Sequence, residues 1–171
     1  MTQHTARQSP AHTDPHTVVR PAEERDIAEL VRLRALLFET LEGDFFTSPP
    51  TGDDWRHSLA TVLKEQLTAD TVRILVVDGG DGLAACGFGF VEQRLPGPNR
   101  PNGLGGHVTG VVTDPAFRRR GHSRAIMHGL LDWFRDREVP RVDLYASHDG
   151  EPLYRALGFV PHPDPALCGR P

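Results

Sequence analysis

Val111-Val112-Thr113-Asp114-Pro115-Ala116-Phe117-Arg118-Arg119-Arg120-Gly121-His122-Ser123-Arg124 runs from a β-branched stretch into a proline-broken turn, then an arginine-rich glycine loop and a helix start. Such a junction points several backbone N–H groups at one place, because the first turn of a helix holds no acceptor for them. The helix dipole adds partial positive charge there, and the arginines add full charges. A solvated basic loop would explain the arginines alone. Cations at a helix N-terminus oppose the dipole, however, and need an anion or solvent to compensate. The segment predicts a pyrophosphate-type anion site.

The rest of the chain narrows the anion. A length of 171 residues suits a single domain, with 38% apolar residues for a core and 25% charged. The net charge of −4 argues against a nucleic-acid binder, so the basic cluster at 118–124 is local and serves a small anion. No apolar run approaches the roughly 18 residues of a membrane span, and no signal-type apolar region opens the sequence. Cys86 and Cys168 match no metal spacing. Two lone thiols suit a reducing cytoplasm, which is the expected location. Residues 1–16 are polar and aperiodic and read as a disordered tail; the irregular spacing of His4, His12 and His16 argues against a metal site. The proline-rich residues 163–171 read as a second tail, leaving a domain over 17–162.

Within that domain Val18–Arg20 reads as a short strand. Asp26–Leu41 reads as a helix with Ile27, Leu30, Val31, Leu33, Leu37 and Leu41 on one face. A second helix follows Asp53 or Asp54, carrying Trp55, Leu59, Val62, Leu63 and Leu67. Residues 71–77 and 83–93 form two strands around the turn Asp78-Gly79-Gly80-Asp81-Gly82. A long loop over 95–103 leads to a strand over 106–113. The helix after Gly121 packs Ile126, Met127, Leu130, Leu131 and Phe134 on the sheet. A strand over 142–146, a short helix over 152–157 and a possible strand start at Phe159-Val160 complete the order β-α-α-β-β-β-α-β-α-β. The strand–helix–strand unit around the third helix is a crossover, which makes the fourth and fifth strands parallel neighbours.

Two motifs now meet. Arg118-Arg119-Arg120-Gly121-His122-Ser123 is similar to the R/Q-x-x-G-x-G/A loop of the GNAT superfamily of N-acetyltransferases, with the small Ser123 where Gly or Ala is usual. Leu153-Tyr154-Arg155-Ala156-Leu157-Gly158-Phe159 resembles the same family's L-Y-x-x-L-G-F segment. Ser147 stands where the family often has Asn, and Gly150 where it often has Ala. The resemblance covers about 17–162 and is sharpest from 108 to 160. It implies an α/β (α+β) fold: a mixed, mostly antiparallel six- to seven-stranded sheet, parallel splayed fourth and fifth strands, and about four helices.

The resemblance also implies acetyl-CoA as acetyl donor. Its pyrophosphate would lie on Arg118, Arg119, Arg120, Gly121, His122, Ser123 and Arg124, with Ser147 as a further contact. Its pantetheine arm would pair with Val111, Val112 and Thr113, and the Val112 N–H would stabilise the oxyanion. Tyr154 would be the general acid that protonates the leaving thiolate. Glu92, His107 and His148 are candidate bases. Glu39, Glu42, Asp44, Phe45, Phe46 and Trp55 populate the expected acceptor side, a set that suits a cationic amine. The leading expectation is acetyl transfer to a small-molecule primary amine by direct attack on the thioester, with no metal, nucleic acid or membrane partner and room for a homodimer. The alternatives are transfer to a protein lysine or N-terminus, and a non-catalytic acyl-CoA-binding sensor. The Pro-rich loop at 95–103, expected to narrow the groove, favours the small molecule.

Overall fold

The computed structural model describes residues 17–40 and 54–169. Five strands form one sheet in the order β1-β2-β3-β4-β5, with β1 Val19–Pro21, β2 Val72–Asp78, β3 Leu83–Gln93, β4 Leu104–Thr113 and β5 Val142–Leu144. The first four are antiparallel neighbours, and β4 and β5 are parallel. Among the described residues four α-helices accompany the sheet: α1 Ile27–Thr40, α2 Asp54–Gln66, α3 His122–Asp136 and α4 Glu151–Ala156. The mixed sheet, the parallel pair and the four helices match expectation. The strand count among the described residues does not reach six or seven, and Phe159-Val160 joins no strand.

Apolar residues divide by face, as the period of two along a strand requires. Ile74, Val76, Cys86 and Phe88 pack against Leu30 and Leu33 of α1 and Leu63 of α2. Leu75, Val77, Ala85 and Val108 pack against Ile126, Met127, Leu130, Trp133 and Phe134 of α3. These α3 positions recur at three- and four-residue intervals, which places them on one helical stripe. Helix α3 lies close to the sheet because β3 carries Gly87. A Cβ there would stand 2.6 Å from Ile126 Cγ2.

Pro21 ends β1, an edge strand, where a missing N–H breaks no ladder. Arg20 bridges the entry to α1 with the exit of β2, donating to Asp26 at 2.7 Å and to Asp78 at 2.7 Å. The 95–103 loop folds on itself through reciprocal Gly97 and Arg100 backbone bonds of 3.0 and 2.9 Å. Asn102 Nδ2 donates to the Glu138 carbonyl at 2.8 Å, beyond the C-terminal end of α3. The loop therefore sits at the starting end of β4, away from Thr113, and does not narrow a groove at the other end.

Candidate functional site

Strand β4 builds the site because its pairing is interrupted on both sides. Toward β3 the register runs from Cys86↔Val112 to Phe88↔Thr109, so Gly110 and Val111 together oppose Gly87. This is a β-bulge, and Gly110 takes φ +62° to make it. Toward β5 the pairs are Gly106↔Val142, His107↔Asp143 and Val108↔Leu144. Strand β5 then ends, while β4 continues to Thr113. From Thr109 onward the β5-facing edge of β4 has no strand partner among the described residues. This is the expected splay.

The alternation of the strand decides which groups use that edge. The Asp114 N–H donates to the Ala84 carbonyl at 2.8 Å, and Val112 pairs with Cys86. Both therefore turn toward β3. Val111 packs on the α3 face and Val112 on the α1 face, so alternation holds beyond the bulge. The N–H groups of Val111 and Thr113 point to the open edge. The Val112 N–H, expected at the open edge, faces β3 instead, and Val111 is the neighbouring residue whose N–H is turned outward.

Past Thr113 the chain is braced before it reaches the loop. Asp114 accepts from the Ala116 N–H at 2.9 Å and from Arg32 at 2.6 Å. Arg32 also donates to Glu29 at 2.8 Å and to the Leu83 carbonyl at 3.0 Å. The Ala116 N–H and the Arg32 guanidinium hold the Asp114 carboxyl below the usual carboxylate range. Thr113 Oγ1 and Ser123 Oγ lie 2.7 Å apart, which ties the end of β4 to the first turn of α3.

Between these anchors Arg119 and Gly121 adopt left-handed φ values of 65° and 81°. Helix α3 begins directly after Gly121, and Ala125 N–H bonds the Gly121 carbonyl at 3.0 Å. The N–H groups of Ser123 and Arg124 precede that first bond and find no acceptor inside the helix. No acidic residue occupies the first turn. Arg118, Arg119 and Arg120 are exposed, with Arg120 stacked 5.3 Å from the Phe117 ring centroid. The His122 ring is buried, its Nδ1 3.2 Å from Thr17 Oγ1, so its side chain turns away from the loop surface.

Tyr154 lies on α4, packed on the α3-face core and edge-on to Phe159 at 6.1 Å. Its hydroxyl bonds no described residue. Burial pushes its pKa upward, which keeps the phenol protonated and suits a proton donor. It lines a groove of about 980 Å³ between β5, α4 and residues 160–166. Ser147 brackets the start of α4: its Oγ accepts from the Gly150 N–H at 3.2 Å and its carbonyl from Glu151 at 3.0 Å.

The candidate bases separate in space. Glu92 is exposed at the far end of β3 and paired with Arg94 at 2.8 Å. His148 is exposed in the turn before α4. His107 is half-buried on β4, on the same face as Phe88 and Thr109, with its ring 5.9 Å from Tyr145. Of the expected acceptor residues, Glu39 is exposed on α1, and Trp55 of α2 meets Phe38 of α1 edge-on at 5.6 Å. Glu42, Asp44, Phe45 and Phe46 lie outside the described residues, as do His4, His12 and His16.

Sequence reasoning passed over Arg34. It sits on α1 with its guanidinium 5.0 Å from the Phe38 ring, and its Nη1 lies 3.1 Å from where a Cβ on Gly110 would be. The available signal was a charge within the apolar stripe Leu30, Val31, Leu33 and Leu37. Cys86, beneath it, is fully buried, and burial pushes its thiol up to about 12, which leaves it neutral. No cluster of three or more metal-ligating side chains occurs among the described residues, and no helix among them is long and apolar enough to cross a membrane.

Residues 34–159 match the model of the acetyltransferase (GNAT) family. An uncharacterized N-acetyltransferase of Porphyra purpurea is 35% identical over 63 residues, 37% of this chain and 36% of that protein. A glucosamine 6-phosphate N-acetyltransferase of Trypanosoma brucei brucei is 35% identical over 57 residues, 33% of this chain and 39% of that protein. The matches thus span little more than a third of these curated relatives. A predicted acetyltransferase of Clostridium acetobutylicum, solved with acetyl-CoA, shares the fold at a TM-score of 0.75 and 21% identity, over 90% of this chain and 96% of that one.

Proposed function

The chain belongs to the acetyltransferase (GNAT) family, and we propose that it transfers an acetyl group from acetyl-CoA to a primary amine of a small molecule. One observation carries the reading: the open edge of β4 at Val111 and Thr113 runs directly into the N–H-rich, arginine-rich start of α3. A long ligand with amides in its middle and a pyrophosphate at one end fits that sequence of groups. The strand edge pairs with amides as another strand would, and the helix start holds the phosphates.

Acetyl-CoA supplies an activated thioester. The amine nitrogen forms a bond to the acyl carbon, the carbon–sulfur bond breaks with its electron pair on sulfur, and the nitrogen loses one proton to solvent or a base. The products are the N-acetylated amine and CoA thiol. The Val111 N–H stabilises negative charge developing on the carbonyl oxygen. The Tyr154 hydroxyl gives the leaving sulfur its proton. His107 is the base candidate on the acceptor-facing side of β4.

Two measurements test this. Acetyl-CoA raises the melting temperature, because a ligand that binds only the folded state stabilises it. An amine panel then releases CoA thiol, and Tyr154→Phe slows release by about 100-fold or more while acetyl-CoA still shifts the melting temperature. Normal turnover by Tyr154→Phe would refute the acid role. Binding without thiol release from any small or peptide amine identifies a sensor instead, and release with peptide amines alone identifies a protein acetyltransferase.

A further inference from the structure

Helix α1 carries two arginines, two residues apart, with opposite fates. Arg32 is saturated by Glu29, Asp114 and the Leu83 carbonyl. Arg34 has no hydrogen bond or ion pair with any described residue, although it is half-buried. Desolvation lowers its pKa, and no carboxylate of α1, β3 or β4 opposes that shift. The thiol of Cys86 is the nearby acid, and it stays neutral. A guanidinium presents five donors in a fixed fork that matches carboxylate and phosphate oxygens.

Its position gives this charge, without an ion partner among the described residues, a purpose. Phe38 stacks on the guanidinium, and Trp55 backs Phe38, so the fork is held in place. Its Nη1 lies 3.1 Å from where a Cβ on Gly110 would stand, in space that the glycine leaves open. Gly110 immediately precedes Val111, the donor assigned to the thioester oxygen. Arg34 therefore stands beside the point of attack, on the α1 face, remote from the arginine loop beyond Thr113.

We propose that Arg34 receives a carboxylate or phosphate of the acceptor, so that the substrate class is a primary amine bearing an acidic group a short reach from its nitrogen. The inference rests on the transferase reading above. The reaction is R–NH3⁺ plus acetyl-CoA giving R–NH–CO–CH3, CoA thiol and one proton. The acidic group of R is unchanged, and Arg34 binds it without exchanging a proton.

The test uses matched amines: glycine against glycinamide, phosphoethanolamine against ethanolamine, and glucosamine 6-phosphate against glucosamine. In the full-length protein the acidic member of at least one pair is preferred in kcat/KM by about 10- to 100-fold, the range for a hydrogen bond to a charged group. Which pair responds tells carboxylate from phosphate. Arg34→Gln collapses that preference toward unity through the KM of the acidic amine, with the KM for acetyl-CoA unchanged, and Arg34→Lys restores part of it. With CoA saturating, the acidic amine raises the melting temperature of the wild type and not of Arg34→Gln. A preference for the neutral member in every pair, or equal loss on both members in Arg34→Gln, overturns the assignment and leaves the transferase reading intact. Failure of acetyl-CoA itself to shift the melting temperature overturns the transferase reading instead.

Discussion

Gly110→Ala tests the bulge on which the site depends. Gly110 holds φ +62°, and an added Cβ would stand 2.7 Å from Phe88 Cδ2 and 3.1 Å from Arg34 Nη1. A left-handed alanine costs about 1–2 kcal/mol. Forcing a methyl group against the buried Phe88 ring adds about 1–3 kcal/mol. The sum, about 2–5 kcal/mol, is a large share of the roughly 5–15 kcal/mol that holds a domain together. At roughly 2–4 °C per kcal/mol for this chain length, the middle of that range lowers the melting temperature by about 10 °C. Two controls separate the causes. Gly80 has φ +95° with nothing within 4 Å, so Gly80→Ala carries the backbone cost alone. Gly87 has no positive φ but a clash at 2.6 Å with Ile126, so Gly87→Ala carries the packing cost alone. Thermal and urea unfolding, followed by circular dichroism, measures all three. A Gly110→Ala variant no less stable than Gly80→Ala would refute the close approach of Phe88 and with it the bulge geometry assigned to Val111.

Two further outcomes follow from the electrostatics. Asp114, Glu29, Asp26 and Asp78 all have carboxyls held below their ordinary range, by the Ala116 N–H and then Arg32 for Asp114, by Arg32 for Glu29 and by Arg20 for the other two. A depressed folded-state pKa contributes stability that is complete above the unfolded value of about 4 and is lost as pH falls through the folded value. The melting temperature therefore falls steeply on acidification below about pH 4, and Asp114→Asn flattens that limb while lowering stability near neutrality. In the loop, Arg118→Gln and Arg120→Gln each weaken acetyl-CoA binding several-fold at low salt, and the gap to wild type narrows as ionic strength rises and exposed charges are screened. Equal affinities at low salt would remove those arginines from the phosphate site.

The sequence carried the larger features well because they rest on period and chain order. Ile126, Met127, Leu130 and Phe134 announced the buried stripe of α3, and the β4–α3–β5 crossover required a parallel pair. Arg118–Ser123 and Leu153–Phe159 carried the resemblance to the family whose model matches residues 34–159. What failed was whatever depends on the third dimension. Val112 sits in the middle of its run, yet strand alternation and the Asp114–Ala84 bond turn its N–H the wrong way. Composition cannot reveal a register. The 95–103 loop looked like a groove wall, but Asn102 ties it to Glu138 at the opposite end of β4. Arg34 was invisible because a charge in an apolar stripe looks like a surface residue until the strand beneath it is known to bulge.

Val111 and Arg34 became legible together, and for one cause. The extra residue at Gly110 shifts β4 by one position relative to β3, so the N–H groups of Val111 and Thr113 reach the open edge while Val112 still pairs with Cys86. The same glycine leaves room for the Arg34 guanidinium against the strand. One backbone irregularity therefore sets both groups proposed above to act on the acyl oxygen and the acceptor, with the arginine loop only a few residues further along the chain. The two anionic substrates proposed above require local positive charge in a protein of net charge −4. The arginine loop supplies it at one end of this short stretch and Arg34 at the other. Between them the β4 edge is made of backbone groups, neutral and fixed in direction, which suits the uncharged amide and thioester parts of the donor. The order of charge along β4, cation loop, neutral edge, single cation, is thus the order in which a phosphate, an amide chain and an acidic amine would have to be arranged for the nitrogen to reach the acyl carbon.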